Sequence, residues 1–143
     1  MGDTDADARR NANYALYERM TAAQNAKDAD AFLACFTDDV VFEAPAYAPD
    51  GEPIAAGREA MGAMFEVLKQ KFTTMHYRVK RFIPAVDPDL VIVEVRGDNE
   101  VAGSAKRYRN AYLFLVGCRD GKIASIYEYS NPQVYDDALG EEA

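Results

Sequence analysis

From residue 75 to residue 130 the chain is four β-prone runs, 75–86, 89–101, 106–118 and 122–130, separated by turn residues. Pro84, Asp87-Pro88, Gly103-Ser104 and Asp120-Gly121 supply the breaks. Asp120-Gly121 is a two-residue hairpin signal, because both central positions of a type I′ turn need positive φ. Consecutive strands joined in this way form a meander. The preceding half reads differently. Tyr14, Leu16, Tyr17 and Met20 make an apolar stripe on a helix from Asp5 to about Ala26, and Asp28 or Asp30 caps a short second helix running through Phe36. "VVFEAP" (40–45) is a strand stopped by Pro45, and the Pro- and Gly-rich 46–57 is a loop. Met61, Met64, Phe65 and Leu68 share one face of a third helix at 58–72. Helices grouped first and strands last imply an α+β domain, with three N-terminal helices covering one face of a curved antiparallel sheet.

At 143 residues, 1–143 is expected to be one domain, with its core at about 10–135. A net charge of −8 argues against nucleic acid or an anionic membrane as partner. No apolar run approaches the roughly 20 residues of a membrane span, and the polar N-terminus lacks a signal-peptide core, so a cytoplasmic location is expected. Cys35 and Cys118 sit in apolar contexts, and there is one histidine, His76. Buried free thiols are expected, with neither a metal site nor a cofactor.

The last run carries a glutamate between two tyrosines, Tyr127-Glu128-Tyr129. If Asp120-Gly121 is a two-residue turn, Arg119 pairs with Lys122 and Glu128 lies opposite Leu113. Its face is then Ile126, Ala124, Leu113, Leu115 and Ala111, apolar enough to line a pocket. Tyr127, Tyr129, Tyr108, Asn110, Tyr112 and Phe114 take the opposite face. A sheet apolar on both faces needs both covered, so a two-fold homodimer through the tyrosine face is expected.

The stretches "AKDADAFLACFTDDVVFEAP", "AAGREAMGAMF" and "YRNAYLFLVGCRDGKIASIYEYSNP", in this order, resemble the nuclear-transport-factor-2-like (cystatin-like) superfamily. The likeness spans about 10–135, and the last stretch is most similar to SnoaL-like proteins, including the phenazine-biosynthesis A/B proteins. The resemblance implies a cone of sheet around a pocket and, six residues past the lysine of "DGKI", a pocket carboxylate, Glu128. It specifies the reaction poorly. Where ketosteroid isomerases carry their base and two oxyanion donors, this chain has Ala44, Met20 and Leu113, which argues against that mechanism. Limonene epoxide hydrolase resembles it in Arg96-Gly97-Asp98 and Glu128, but its Tyr and Asn positions fall on Phe42 and Ala44. Aligned on the strand glutamate, its Arg and Asp positions fall on Val95 and Gly97. The phenazine proteins pair their glutamate with a pocket histidine, and His76 matches no such position.

These readings lead to a cofactor-free acid–base catalyst of the cyclase, isomerase or dehydratase type, acting on a small hydrophobic carbonyl metabolite through Glu128. Its expected pocket wall is Leu16, Tyr17, Met20, Phe42, Met61, Met64, Leu113, Leu115 and Ile126, with Arg109 near the carboxylate. The alternative is a non-catalytic binder of hydrophobic ligands, and the third reading is an epoxide hydrolase.

Overall fold

Apolar residues every third or fourth position give helix α1 (Gly2–Asn25) a buried stripe of Leu16, Tyr17, Met20 and Ala23. Asp28 then caps the short α2 (Ala29–Leu33), accepting a hydrogen bond from the Ala31 amide at 3.1 Å. Strand β1 (Phe36–Glu43) begins four residues earlier than expected, since Phe36 and Val40 alternate into the core. The 46–57 loop contains a two-residue strand, β2 (Ala55–Ala56), and α3 (Arg58–Lys71) follows, burying Met61 and Phe65. These features belong to a computed structural model that describes residues 2–140.

The meander follows as β3 (Phe72–Thr74), β4 (Tyr77–Pro84), β5 (Leu90–Val101), β6 (Arg107–Arg119) and β7 (Lys122–Tyr129). All seven strands form one strongly curled sheet in the order β2-β1-β7-β6-β5-β3, with β4 also paired to β5. It is antiparallel except where β1 runs parallel to β7. Helices α1, α2 and α3 cover the concave face, as an α+β cone requires. Strict alternation along β5 buries Val91, Val93, Val95, Asn99 and Val101 and turns Glu94, Arg96 and Asp98 to the convex face. Asn25 fastens α1 to β4, donating to the Tyr77 carbonyl and accepting from its amide, each at 2.8 Å. A fourth helix, α4 (Pro132–Leu139), was not expected. Asn131 caps it, and it lies beside β6.

Candidate active site

Between the concave face and the helices lies a cavity of about 340 Å³. That is the small end of the usual range for ligand pockets, suited to one or two fused rings. Ten of its 21 lining residues are aromatic, and Met20, Met61 and Met64 add flexible apolar surface from α1 and α3. Among the described residues the only charged ones in the lining are Glu128 and Lys71. The exposed Lys71 is already engaged, its Nζ 2.7 Å from the Tyr135 hydroxyl and 5.4 Å from that ring's centroid.

A one-residue bulge directs Glu128 inward. Arg119 pairs with Lys122 and Cys118 with Ile123, but Gly117 pairs with Ser125, leaving Ala124 as the extra residue on β7. Ile123 and Ile126 are therefore both buried despite their odd spacing. Glu128 lies opposite Phe114 rather than Leu113. Gly117 sits at the bulge, where a Cβ would meet the Ser125 hydroxyl and force it to another rotamer.

Glu128 receives one hydrogen bond, from Ser130 Oγ at 2.8 Å, and Ser130 Oγ is 3.4 Å from the Tyr47 hydroxyl. No salt bridge reaches its carboxylate among the described residues. Loss of solvent raises its pKa above the ordinary carboxylate range, and the Ser130 bond offsets part of that shift.

Facing the carboxylate is a cluster of phenols. Tyr108, Tyr112 and Phe114 share the concave face of β6, and Tyr77 comes from β4. The fully buried Asn99 donates to the Tyr77 hydroxyl at 3.0 Å, and Asn110 donates to the Tyr108 hydroxyl at 2.9 Å. Tyr112 neighbours them: its ring meets Tyr77 edge-on at 5.8 Å, and its phenol interacts electrostatically with both Tyr77 and Tyr108. Burial pushes Tyr77 up to about 12, and raises Tyr108 and Tyr112 as well, so all three remain neutral donors. Gly97 makes room for the cluster: a Cβ there would come within 3.0 Å of Tyr77 Cε1 and 3.1 Å of Tyr112 Cε2.

Of the residues expected around the pocket, Tyr17, Met20, Phe42, Met61, Met64, Ile126 and Glu128 do line the cavity. Four do not. Leu16 points into the packing of α1 against α2 and the β6–β7 turn. Leu113 and Leu115 are on the convex face, because the bulge shifts β7 by one residue against β6 and so exchanges the two faces. Arg109 also points outward, with its Nε 3.3 Å from Asp98 Oδ1. Tyr108, Tyr112 and Phe114 therefore belong to the cavity rather than to an outer tyrosine face. The polar group missing at Leu113 is present one residue earlier, as Tyr112. Arg96 bonds Glu94 and Asp98 bonds Arg107 on the convex side, so no Arg-x-Asp pair enters the cavity and the epoxide-hydrolase arrangement is not formed. His76 is exposed, and both cysteines are buried free thiols. Tyr47, Phe72 and Tyr135, none of them expected in the wall, also line it.

The family model for the SnoaL-like domain matches residues 17–126. The chain belongs to the SnoaL-like family. This SnoaL-like chain is 30% identical over 131 residues to an uncharacterized PhzA/B-like protein of Pseudomonas aeruginosa, covering 91% of each. It superposes with a TM-score of 0.82 on a Bacillus subtilis protein named as a candidate isomerase, at 24% identity and covering 93% of this chain and 96% of that one. A nuclear-transport-factor-2-like protein from Burkholderia xenovorans LB400 gives a TM-score of 0.69 at 19% identity, covering 90% and 95%. The SnoaL-like fold is that of small-molecule-binding and isomerase-type proteins. Among the described residues no helix is long and apolar enough to cross a membrane, and no cluster of His, Cys, Asp and Glu could hold a metal ion.

Proposed function

We propose that this protein is a cofactor-free acid–base catalyst that moves a proton at the carbon next to the carbonyl of a small, ring-sized hydrophobic compound. One observation carries the reading: a largely desolvated carboxylate, with no salt bridge among the described residues, shares an aromatic-lined cavity with a buried neutral phenol, Tyr112. Desolvation makes Glu128 a stronger base than a carboxylate in water and brings its pKa toward the operating pH. Glu128 takes the α-proton, the electron pair of the C–H bond moves into the carbonyl, and the Tyr112 hydroxyl donates to the developing enolate oxygen. Return of the proton to another carbon gives an isomerase; loss of a β-hydroxyl gives a dehydratase. On the concave face Tyr112 is the diagonal cross-strand neighbour of Glu128 across the β6–β7 pair, so both side chains face the same cavity.

The test needs no knowledge of the natural substrate. In deuterium oxide the protein should exchange the α-hydrogens of a bound bicyclic ketone such as 2-tetralone well above the buffer rate, as followed by NMR. Ketones that bind but exchange no faster than in buffer would reject the activity. The assembly reading now rests on a smaller patch: Leu113, Tyr127 and Tyr129 are 38%, 39% and 45% exposed on the convex face. A two-fold dimer would cover them. Sedimentation at tens of micromolar should show a dimer that Tyr129→Glu dissociates; a wild-type monomer would refute it.

A further inference from the structure

We infer that the cavity is also a receptor for organic cations, and that tertiary and quaternary ammonium compounds of ring size occupy it with the charged nitrogen between Glu128 and the rings of β6. The inference uses the cavity of the proposed activity but does not depend on catalysis.

A half-buried ionised carboxylate among rings, with a single hydroxyl as its hydrogen-bond donor, has less compensation than charges withdrawn from water ordinarily have. A cation provides it. Phe114 is the direct cross-strand neighbour of Glu128 on the same face, so a nitrogen beside the carboxylate lies within the roughly 6 Å over which a ring attracts a cation. Behind Phe114 the Tyr112 ring stacks at 5.2 Å and 9°, and Tyr77 meets Tyr112 edge-on at 5.8 Å, so the π surface is continuous. The same shell already holds an ammonium at its mouth, Lys71 over the Tyr135 ring. Alkylated nitrogens suit this wall better than primary amines. An –NH₃⁺ brings three donors that need acceptors, whereas a quaternary nitrogen presents only methyl groups to Met20, Met61 and the rings. The net charge of −8 favours the approach of cations.

Phenyltrimethylammonium and tert-butylbenzene test this, because they have nearly the same shape and differ in charge. Titrated into the protein at pH 8 and followed by NMR, the cation should bind at least about tenfold tighter than the hydrocarbon. Its affinity should fall as the pH is lowered into the range where Glu128 gains its proton, while that of tert-butylbenzene stays constant. Lys71 of α3 also lines the cavity, engaged with the Tyr135 hydroxyl and ring at its mouth. The phenols around the carboxylate, Tyr17 from α1, Tyr47 from the loop, Tyr77 from β4, and Tyr108 and Tyr112 from β6, are all shifted upward and do not change charge in this range. Glu128→Gln should remove the preference for the cation and keep the hydrocarbon. Equal or tighter binding of tert-butylbenzene, or a preference that survives Glu128→Gln, overturns the inference and leaves the proposed catalysis standing. Failure of ketone exchange together with a Glu128-dependent preference for the cation would do the reverse.

Discussion

Tyr112→Phe should lower ketone α-hydrogen exchange by about a hundredfold or more, while the ketone still binds within a few-fold of wild type. Removing one pre-organised donor to a developing oxyanion costs roughly 10²–10³ in rate. Tyr112 is placed for that role because its ring is packed between the Phe114 stack and the edge of Tyr77 while its side chain lines the cavity. The substitution keeps the ring, so the stack on Phe114 and the edge contact with Tyr77 survive, and with them most of the apolar area that binds the ligand. Tyr77→Phe and Tyr108→Phe should each cost less, since asparagine amides already engage their hydroxyls; Tyr77→Phe leaves the Asn99 amide without that acceptor, whereas Asn110 still donates to the Asn131 carbonyl. Tyr77→Phe should also lower stability by about 1–3 kcal/mol, because Asn99 is fully buried. A Tyr112→Phe protein that exchanges ketones at the wild-type rate would remove the oxyanion role from this phenol. The carboxylate would then be the sole chemical group of the cavity.

How far the sequence led depended on whether the informative signal was local. Turn residues and two distinct periodicities specify the helices, the meander and the α+β layering, because Asp120-Gly121 or the stripe on α3 acts over a few residues. Glu128 is legible for the same reason: a charge in an otherwise apolar strand is conspicuous without any partner. Register is less forgiving. A single unpaired residue, Ala124, moved Leu113 and Leu115 out of the cavity and brought in Tyr112 and Phe114. The warning was Gly117 inside a strand, which marks a bulge or a close approach of backbones. Helix α4 had a local signal as well, Asn131 at the cap, Pro132 in the first turn and Gly140 beyond the end. Its Tyr135 closes the mouth between Tyr47 and Tyr108. The pairings of Asn99 with Tyr77 and of Asn110 with Tyr108 had no such signal. They arise from strand packing, and buried amides in "RGDNEV" and "YRNAY" look like any polar residues of an alternating strand.

Glu128→Gln should reduce ketone exchange by about a hundredfold or more and at the same time stabilise the protein above acid pH. The first effect follows from removing the group that carries the proton while keeping its shape; a positioned acid or base contributes roughly 10²–10⁴. The second follows from the direction of the pKa shift. The folded protein holds the Glu128 proton more tightly than the unfolded chain, whose glutamate titrates near its ordinary value of 4.5. Between that value and the raised folded one the native state binds more protons than the unfolded state, so stability falls as pH rises through this window and the loss persists above it. Glutamine carries no charge to desolvate and escapes the loss. Thermal unfolding should therefore give similar midpoints for the two proteins below about pH 4 and a higher midpoint for Glu128→Gln at pH 7–8. Exchange by wild type should rise with pH across the same window, because the ionised form is the base. The pairing of the two effects carries the argument, since a carboxylate that served only structure would not leave a more stable fold when removed. A Glu128→Gln variant that is less stable than wild type at pH 7–8, or that exchanges ketones normally, would show that Glu128 is not the base of this cavity.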